Sequence, residues 1–390
     1  MPLTTIAKGA NKIIKVSCSE GNYANYSPKC TYIKKLVDMK RLVYFSSFLI
    51  TALFVISCNK EKDSSVKEVS LDFSHIEDID LSDVEKINLE LTDNSTIRRV
   101  DEFLVYSDKY VFVRSGSDLL VFDKDGTFKN KIGSRGNGPA EYTHFNSFHV
   151  KDNVVYIYDA MSKKMMVYDI DGQFRNSISL DSLYDEVIPN YIFPIANDKF
   201  IAKNTFGGDF RKIPSYSILD EDFHILSKSE NRHLTSGITT LNNFSSSGEY
   251  LLFWEPLNDT IFSVTNEVSY SPKYFVNFHE RSLPNSIKNL DLYEAMELSN
   301  QPENKTKYAS LIRCASENEK YLRFIFLFNE DVYYVKYDKQ SSKVKTYRFT
   351  SPSHTVEPLV YLSDDKLIVP INNLEDESNP SLAILDEDNL

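Results

Sequence analysis

The sequence predicts an all-β chain folded as a six-bladed β-propeller with four antiparallel strands to each blade. Three observations predict it. First, a short polar turn followed by a run of aromatic and β-branched residues occurs six times. The turns are Asp108-Lys109, Asp152-Asn153, Asp198-Lys199, Gly248-Glu249, Glu319-Lys320 and Asp365-Lys366, at intervals of 44, 46, 50, 71 and 46 residues. A period near 45 residues marks one supersecondary unit copied and stacked. Second, a different punctuation also recurs six times. It reads Phe122-Asp123-Lys124-Asp125-Gly126, Tyr168-Asp169-Ile170-Asp171-Gly172, Leu219-Asp220-Glu221-Asp222, Tyr337-Asp338-Lys339-Gln340 and Leu385-Asp386-Glu387-Asp388, with a weaker copy at Val264 to Glu267. Third, the last repeat lacks an outer strand, while one strand is left over ahead of the first repeat.

The elements follow in order. Residues 1–38 sit upstream of Met39-Lys40-Arg41, and Met39 is read as the true initiator, with the preceding stretch an extension. Leu42 to Ile56 carries no charge and ends in Val55-Ile56-Ser57-Cys58. A basic start, an apolar stretch of this length and a small residue before the cut describe a secretory signal over 39–58. The run is short for a membrane-spanning helix, which needs about 20 residues. Residues 59–83 are rich in Ser, Asp, Glu and Lys and read as a flexible tether. The propeller is expected over 84–390.

The repeat from Phe145 to Leu180 shows the blade. Phe148-His149-Val150, Val154 to Tyr158, Met165 to Tyr168 and Phe174 to Leu180 are its four strands. Asp-Asn and Asp-x-Asp-Gly supply the tight turns, where Gly is free to take positive φ. The 71-residue interval needs an insertion of about 25 residues. Pro284 to Asn300 supplies it, with Ile287, Leu290, Tyr293, Ala295, Met296 and Leu298 near helical spacing. One amphipathic helix is expected there, between blades 4 and 5. Val84 to Leu91 alternates Ile87, Leu89 and Leu91. It is expected to pair with Ser381 to Asp386 and close the ring, which removes exposed sheet edges.

Charge narrows the function. The chain has 44 basic and 56 acidic residues. The first 41 residues hold eight Lys/Arg and two Asp/Glu, so the remainder holds 36 and 54, a net of −18. Such a body repels phosphate backbones, and nucleic acid is set aside as a partner. Only Cys314 lies in the folded body, so no disulfide framework is expected.

Ile132-Gly133-Ser134-Arg135-Gly136-Asn137-Gly138-Pro139-Ala140-Glu141-Tyr142, then Asp152 to Ile157, resembles the inter-blade segment of NHL-type propellers. Val55 to Cys58 resembles the bacterial lipobox. With the acidic tether and Leu257 to Phe262, the chain as a whole resembles the six-bladed β-propeller lipoproteins of Bacteroidetes, over about residues 39–390. The resemblance implies an acylated Cys58 as the mature N-terminus. It places the propeller at the outer membrane or cell surface, or on the periplasmic face. It implies no particular reaction.

Candidate chemistry is sparse. Gly133 to Gly138 could cradle an anion with backbone amides; the plainer reading is a crossing between blades. The Asp-x-Asp pairs could hold calcium; Asp is equally an ordinary turn residue. His144 and His149 flank one inner strand and His354 precedes another, which makes a shared metal conceivable, with surface or core histidine as the default. No metal or cofactor is expected. No Gly-x-Ser-x-Gly elbow occurs, and no catalytic residue is nominated. Arg135, Glu141, Tyr142 and Trp254 are the candidate ligand-binding residues, as an aromatic platform with polar neighbours; Trp254 also reads as a buried blade residue. The expected role is binding of an envelope protein, glycan or peptide without catalysis. The alternative is a hydrolase or lyase acting on polysaccharide or peptide at the channel mouth.

Overall fold

The computed structural model describes residues 66–390 apart from 108, 196–197, 205–215, 229–243, 248–249, 256, 265–269, 291, 363–365 and 374–377, and apart from the side chains of 246–247, 250, 270 and 292–293. The expected lipid site at Cys58, the apolar run and residues 1–38 lie outside these, as do Asp108, His233, Gly248, Glu249 and Asp365. No helix among the described residues is long and apolar enough to cross a membrane.

The described chain forms six sheets in a ring. Each has an inner, second, third and outer strand in antiparallel order. Blade 1 is Glu102–Tyr106, Tyr110–Ser115, Asp118–Asp123 and Phe128–Lys131. Blade 2 is Phe145–Lys151, Val154–Asp159, Lys164–Asp169 and Phe174–Ser179; blade 3 is Pro189–Ile195, Lys199–Asn204, Tyr216–Leu219 and Ile225–Lys228. Blade 4 is Phe244–Ser247, Tyr250–Trp254, Thr260–Val264 and Tyr270–Asn277; blade 5 is Ser310–Glu317, Tyr321–Phe328, Asp331–Asp338 and Val344–Thr350. In blade 6 the inner strand is broken into His354–Val356 and Tyr361–Leu362, followed by Lys366–Asn373 and Ser381–Asp386.

The ring closes as the sequence predicts. Glu85–Asn88 pairs antiparallel with Ser381–Asp386, Ile87 opposite Leu382, and supplies the outer strand of blade 6. Six apolar clusters lie one between each pair of neighbouring blades. Successive residues of a strand point to opposite faces, so Val111 and Val113 pack towards blade 6 while Phe112 packs towards blade 2. The cluster of Leu89, Phe103, Val111, Val113, Ile368 and Leu382 joins the last blade to the first.

The turn residues follow the same logic. Asp152 and Asn153 both have positive φ (51° and 59°), as a two-residue primed hairpin turn requires. In blades 2, 3, 5 and 6 the Asp at the end of the third strand folds its carboxylate over the turn. Asp169 Oδ1 accepts from the amides of Asp171 (3.1 Å) and Gln173 (2.8 Å), and Asp338 Oδ1 accepts from those of Gln340 and Ser341. Gly126 and Gly172 have positive φ and also meet the preceding blade. A Cβ on Gly126 would lie 2.1 Å from Asn88 O, and one on Gly172 would lie 2.7 Å from Lys131 O. Gly126→Ala therefore pushes directly on the closing strand. It is expected to cost about 2 kcal/mol or more in urea-unfolding free energy.

Two expectations need correction. The tether expected over 59–83 is, from residue 67, part of the propeller. Lys67–Ser70 adds a fifth, parallel strand to the outer edge of blade 4, and Ile76–Asp80 does the same for blade 5. The outer edges offer unpaired backbone groups that attract a further strand. The fully buried residues of the segment are apolar: Val69, Leu71 and Leu81. Asp78 is clasped by Arg348 through Nε (2.8 Å) and a terminal nitrogen (2.7 Å). The single helix expected between blades 4 and 5 is instead three short ones, Asn285–Lys288, Leu292–Ser299 and Pro302–Lys305, after a 3-10 turn at His279–Arg281. The bends between them let Ile287 and Ala295 reach one small cluster with Leu257 and Leu283.

Candidate functional site

Each inner strand begins where the link from the previous blade ends. Links and the turns between second and third strands therefore share one face of the ring, here termed the link face. The other two turns of each blade lie on the opposite face.

The link from blade 1 to blade 2 is closed on its own carboxylate. Glu141 Oε2 accepts the amide of Gly138 at 2.8 Å, and a Cβ on Gly136 would lie 2.0 Å from that oxygen. The anion in the Gly133–Gly138 loop is thus Glu141 itself, and the segment serves as a crossing. A Cβ on Gly133 would lie 2.7 Å from the Tyr168 hydroxyl. Tyr142 is fully buried and its hydroxyl donates to Ser117 O at 2.8 Å, which ties this link to the second–third turn of blade 1.

Asp159, at the end of the second strand of blade 2, holds the other side of the link. Its buried carboxylate accepts from the Thr143 amide (2.6 Å), the Thr143 hydroxyl (2.9 Å), and the amides of His144 (3.2 Å), Met161 (3.1 Å) and Ser162 (3.1 Å). Burial alone would raise its pKa; the hydrogen bonds from Ser162 and Thr143 outweigh it and hold the group below the usual carboxylate range. Arg114 staples blade 1 to blade 2 by donating to Asn146 O (2.7 Å) and Phe145 O (2.8 Å), its guanidinium 4.5 Å over the Phe145 ring. Asn146 in turn donates to Asn190 O of blade 3 at 3.1 Å.

This scaffold supports two clefts on the link face, in equivalent places on consecutive blades. The cleft over blade 1 has a volume of about 710 Å³. Asp93, Arg98 and Asp101 line it from the link, and Ser115, Ser117 and Asp118 from the turn. The cleft over blade 2, about 570 Å³, is lined by Arg135, Asn137, Thr143 and His144 from the link and by Met161 and Ser162 from the turn. The Tyr142–Ser117 hydrogen bond lies between them. A smaller cleft of about 230 Å³ over blade 5 is lined by Asn300, Lys305, Tyr308, Phe328 and Glu330, again on the link face.

Of the four residues the sequence nominates, the structure brings one to a cleft. Arg135 is exposed and lines the cleft over blade 2. Glu141 is half-buried and is used inside its own loop. Tyr142 and Trp254 are corrections: both side chains are buried, Trp254 in the core between blades 4 and 5, and neither offers a platform. Both rings pack into the cores between neighbouring blades. His144 lines a cleft, whereas His149 is buried and stacks on Tyr156 at 4.5 Å. Burial, aided by nearby Lys151, lowers its pKa to about 3, so it is neutral. Among the described residues no group of three or more His, Cys, Asp or Glu could hold a metal ion. Sequence reasoning missed Asp159, Arg98 and Asp101. Asp159 alone left a signal, as an acidic residue closing an otherwise apolar strand.

A family model described as a domain of unknown function, DUF4934, matches residues 53–379, from within the apolar run into the sixth blade. The chain belongs to the DUF4934 family. Its fold is shared with an exported protein of Bacteroides fragilis, at 18% identity over 82% of this chain and 100% of that one, with a TM-score of 0.62. A DUF4221 family member from Bacteroides vulgatus is also similar, at 9% identity over 77% of this DUF4934 chain and 97% of that one, with a TM-score of 0.54. Identities this low bear on fold alone. No curated protein matches.

Proposed function

We propose that this DUF4934 protein is an extracytoplasmic propeller, lipid-anchored through Cys58 at the outer membrane or cell surface. It binds a ligand or partner through its link face and performs no chemistry on it. The observation that carries the reading is that three clefts among the described residues open on one face, two of them side by side over blades 1 and 2. Cavities of several hundred Å³ with a few convergent polar groups suit small-molecule or short-chain ligands. Apart from Asp93, the acids near these two clefts already have structural tasks, which favours binding over acid–base catalysis. Asp101 accepts from Arg99 and the Gly116 amide, Asp118 pairs with Lys131, Glu141 closes its loop, and Asp159 organises the link.

Two measurements test the reading. Mass spectrometry of the native protein is expected to find a diacyl- or triacyl-Cys58 as the first residue; an unlipidated chain that starts earlier contradicts the anchor. Binding of the full chain to glycan arrays, envelope peptides and envelope extracts is expected to give a partner. Asn137→Trp, which fills the blade 2 cleft, should weaken that binding at least tenfold, while Lys124→Trp on the opposite face should leave it unchanged. Silence on all three panels, or loss with Lys124→Trp alone, contradicts the reading.

A further inference from the structure

We infer that the ligand of the paired clefts over blades 1 and 2 is an acidic oligosaccharide segment, gripped at two points by Arg98 and Arg135. The inference rests on the binding role proposed above and names its ligand class.

The argument begins with free charge. The protein is acidic overall, yet the uncommitted charge in these two clefts is mainly positive. Arg99 is occupied by Asp101 (Nε to Oδ1, 2.6 Å), and Asp101 also takes the Gly116 amide at 2.6 Å. Asp118 is paired with Lys131 at 2.5 Å. Arg98 and Arg135 are exposed, and among the described residues neither guanidinium has a carboxylate partner. His144 adds an exposed imidazole beside Arg135. Asp93 alone remains as an uncommitted acid.

Guanidinium groups recognise carboxylate and sulfate through two parallel N–H donors. Arg98 and Arg135 occupy links into consecutive blades, one in each cleft. The buried Tyr142 hydroxyl ties the link that carries Arg135 to Ser117 of the blade 1 cleft. Their backbone supports are fixed: the Arg98 amide donates to Ser115 Oγ (3.1 Å), and Arg135 is bridged to Tyr142. A chain long enough to span the two clefts, with acidic groups along its length, would meet both.

The rest of the lining selects a sugar over a peptide. Thr96, Ser117 and Asn137 offer hydroxyls and an amide, which match sugar hydroxyls. Met161 is the one apolar side chain among the residues lining the two clefts. A peptide with apolar side chains would need pockets for them, and Met161 alone supplies such surface.

The test uses the full chain in detergent and calorimetric titration with four probes of equal length. They are octagalacturonate, a sulfated heparin octasaccharide, neutral malto-octaose and octaglutamate. The expected result is binding of one or both acidic saccharides, weakened by rising salt. Which of the two binds decides between carboxylate and sulfate as the recognised group. Arg98→Gln and Arg135→Gln should each reduce affinity about tenfold, and the double variant about a hundredfold. Both side chains are exposed, so the melting temperature should not move. Equal or tighter binding of malto-octaose or octaglutamate overturns the inference, as does retained affinity in the double variant. A neutral ligand lost with Asn137→Trp would overturn the acidic-saccharide assignment while sparing the binding role. Silence of all four probes, with a partner found elsewhere on the arrays, also overturns only the assignment.

Discussion

Glu387→Ala is expected to destabilise the propeller by about 3–5 kcal/mol, because it leaves a buried charge without its partner. Glu387 lies in a 3-10 turn just past the last strand, yet its side chain is buried. Arg323, on the second strand of blade 5 and equally buried, donates to Glu387 Oε2 at 2.6 Å. The Tyr334 hydroxyl donates to Oε1, and Lys336 Nζ donates to the Glu387 carbonyl at 2.7 Å and to the Leu390 carbonyl at 3.2 Å. The chain end is thereby latched from blade 6 onto blade 5. Equilibrium urea unfolding would measure the loss. Replacing the pair together, Arg323→Met with Glu387→Leu, should recover much of it, since two apolar groups of similar volume carry no desolvation cost. If Glu387→Ala unfolds at the same urea concentration as the parent, the latch carries no weight.

Asp159→Ala is expected to cost about 3 kcal/mol or more and to disorganise the blade 2 cleft at the same time. One carboxylate accepts from four backbone amides and the Thr143 hydroxyl, and removing it leaves several buried donors unsatisfied at 1–3 kcal/mol each, roughly. Asp159→Asn keeps the shape and loses the charge. The folded-state pKa lies below that of the unfolded chain. The stabilisation is therefore complete above the unfolded value of about 3.9 and fades as pH falls through the folded value. The difference in stability between parent and Asp159→Asn should be constant above about pH 5 and shrink below about pH 4. Circular dichroism melts over that range would show it. A difference that grows in acid contradicts the assignment.

Much of the architecture was legible because its signals are local. Asp152-Asn153 and Asp169 to Gly172 mark turns by backbone preference, and the alternation of Ile87 with Leu89 marks a strand that needs a partner. The strands at 67–70 and 76–80 were not legible. They expose most of their side chains and are held by backbone ladders and by contacts such as Asp78 with Arg348, 270 residues apart. Nothing local announces such pairing. The site was legible only in part for a related reason. The link carrying Arg135 stands out by its glycines, and part of it lines a cleft. Tyr142 and Trp254 were misassigned because an aromatic ring reads the same in sequence whether it faces solvent or the next blade. Arg98 and Arg135 gain meaning from the commitments of the acids around them, and those commitments exist only once the blades are assembled.

Hydrogen–deuterium exchange of the full chain, with and without a saturating amount of whichever acidic octasaccharide binds, tests the central claim most directly. The prediction is slowed exchange in residues 93–101, 115–118 and 135–144, with no change at 123–126, 152–153 or 169–172. Protection confined to those last three turns, or none anywhere, would contradict a binding site over the first two blades.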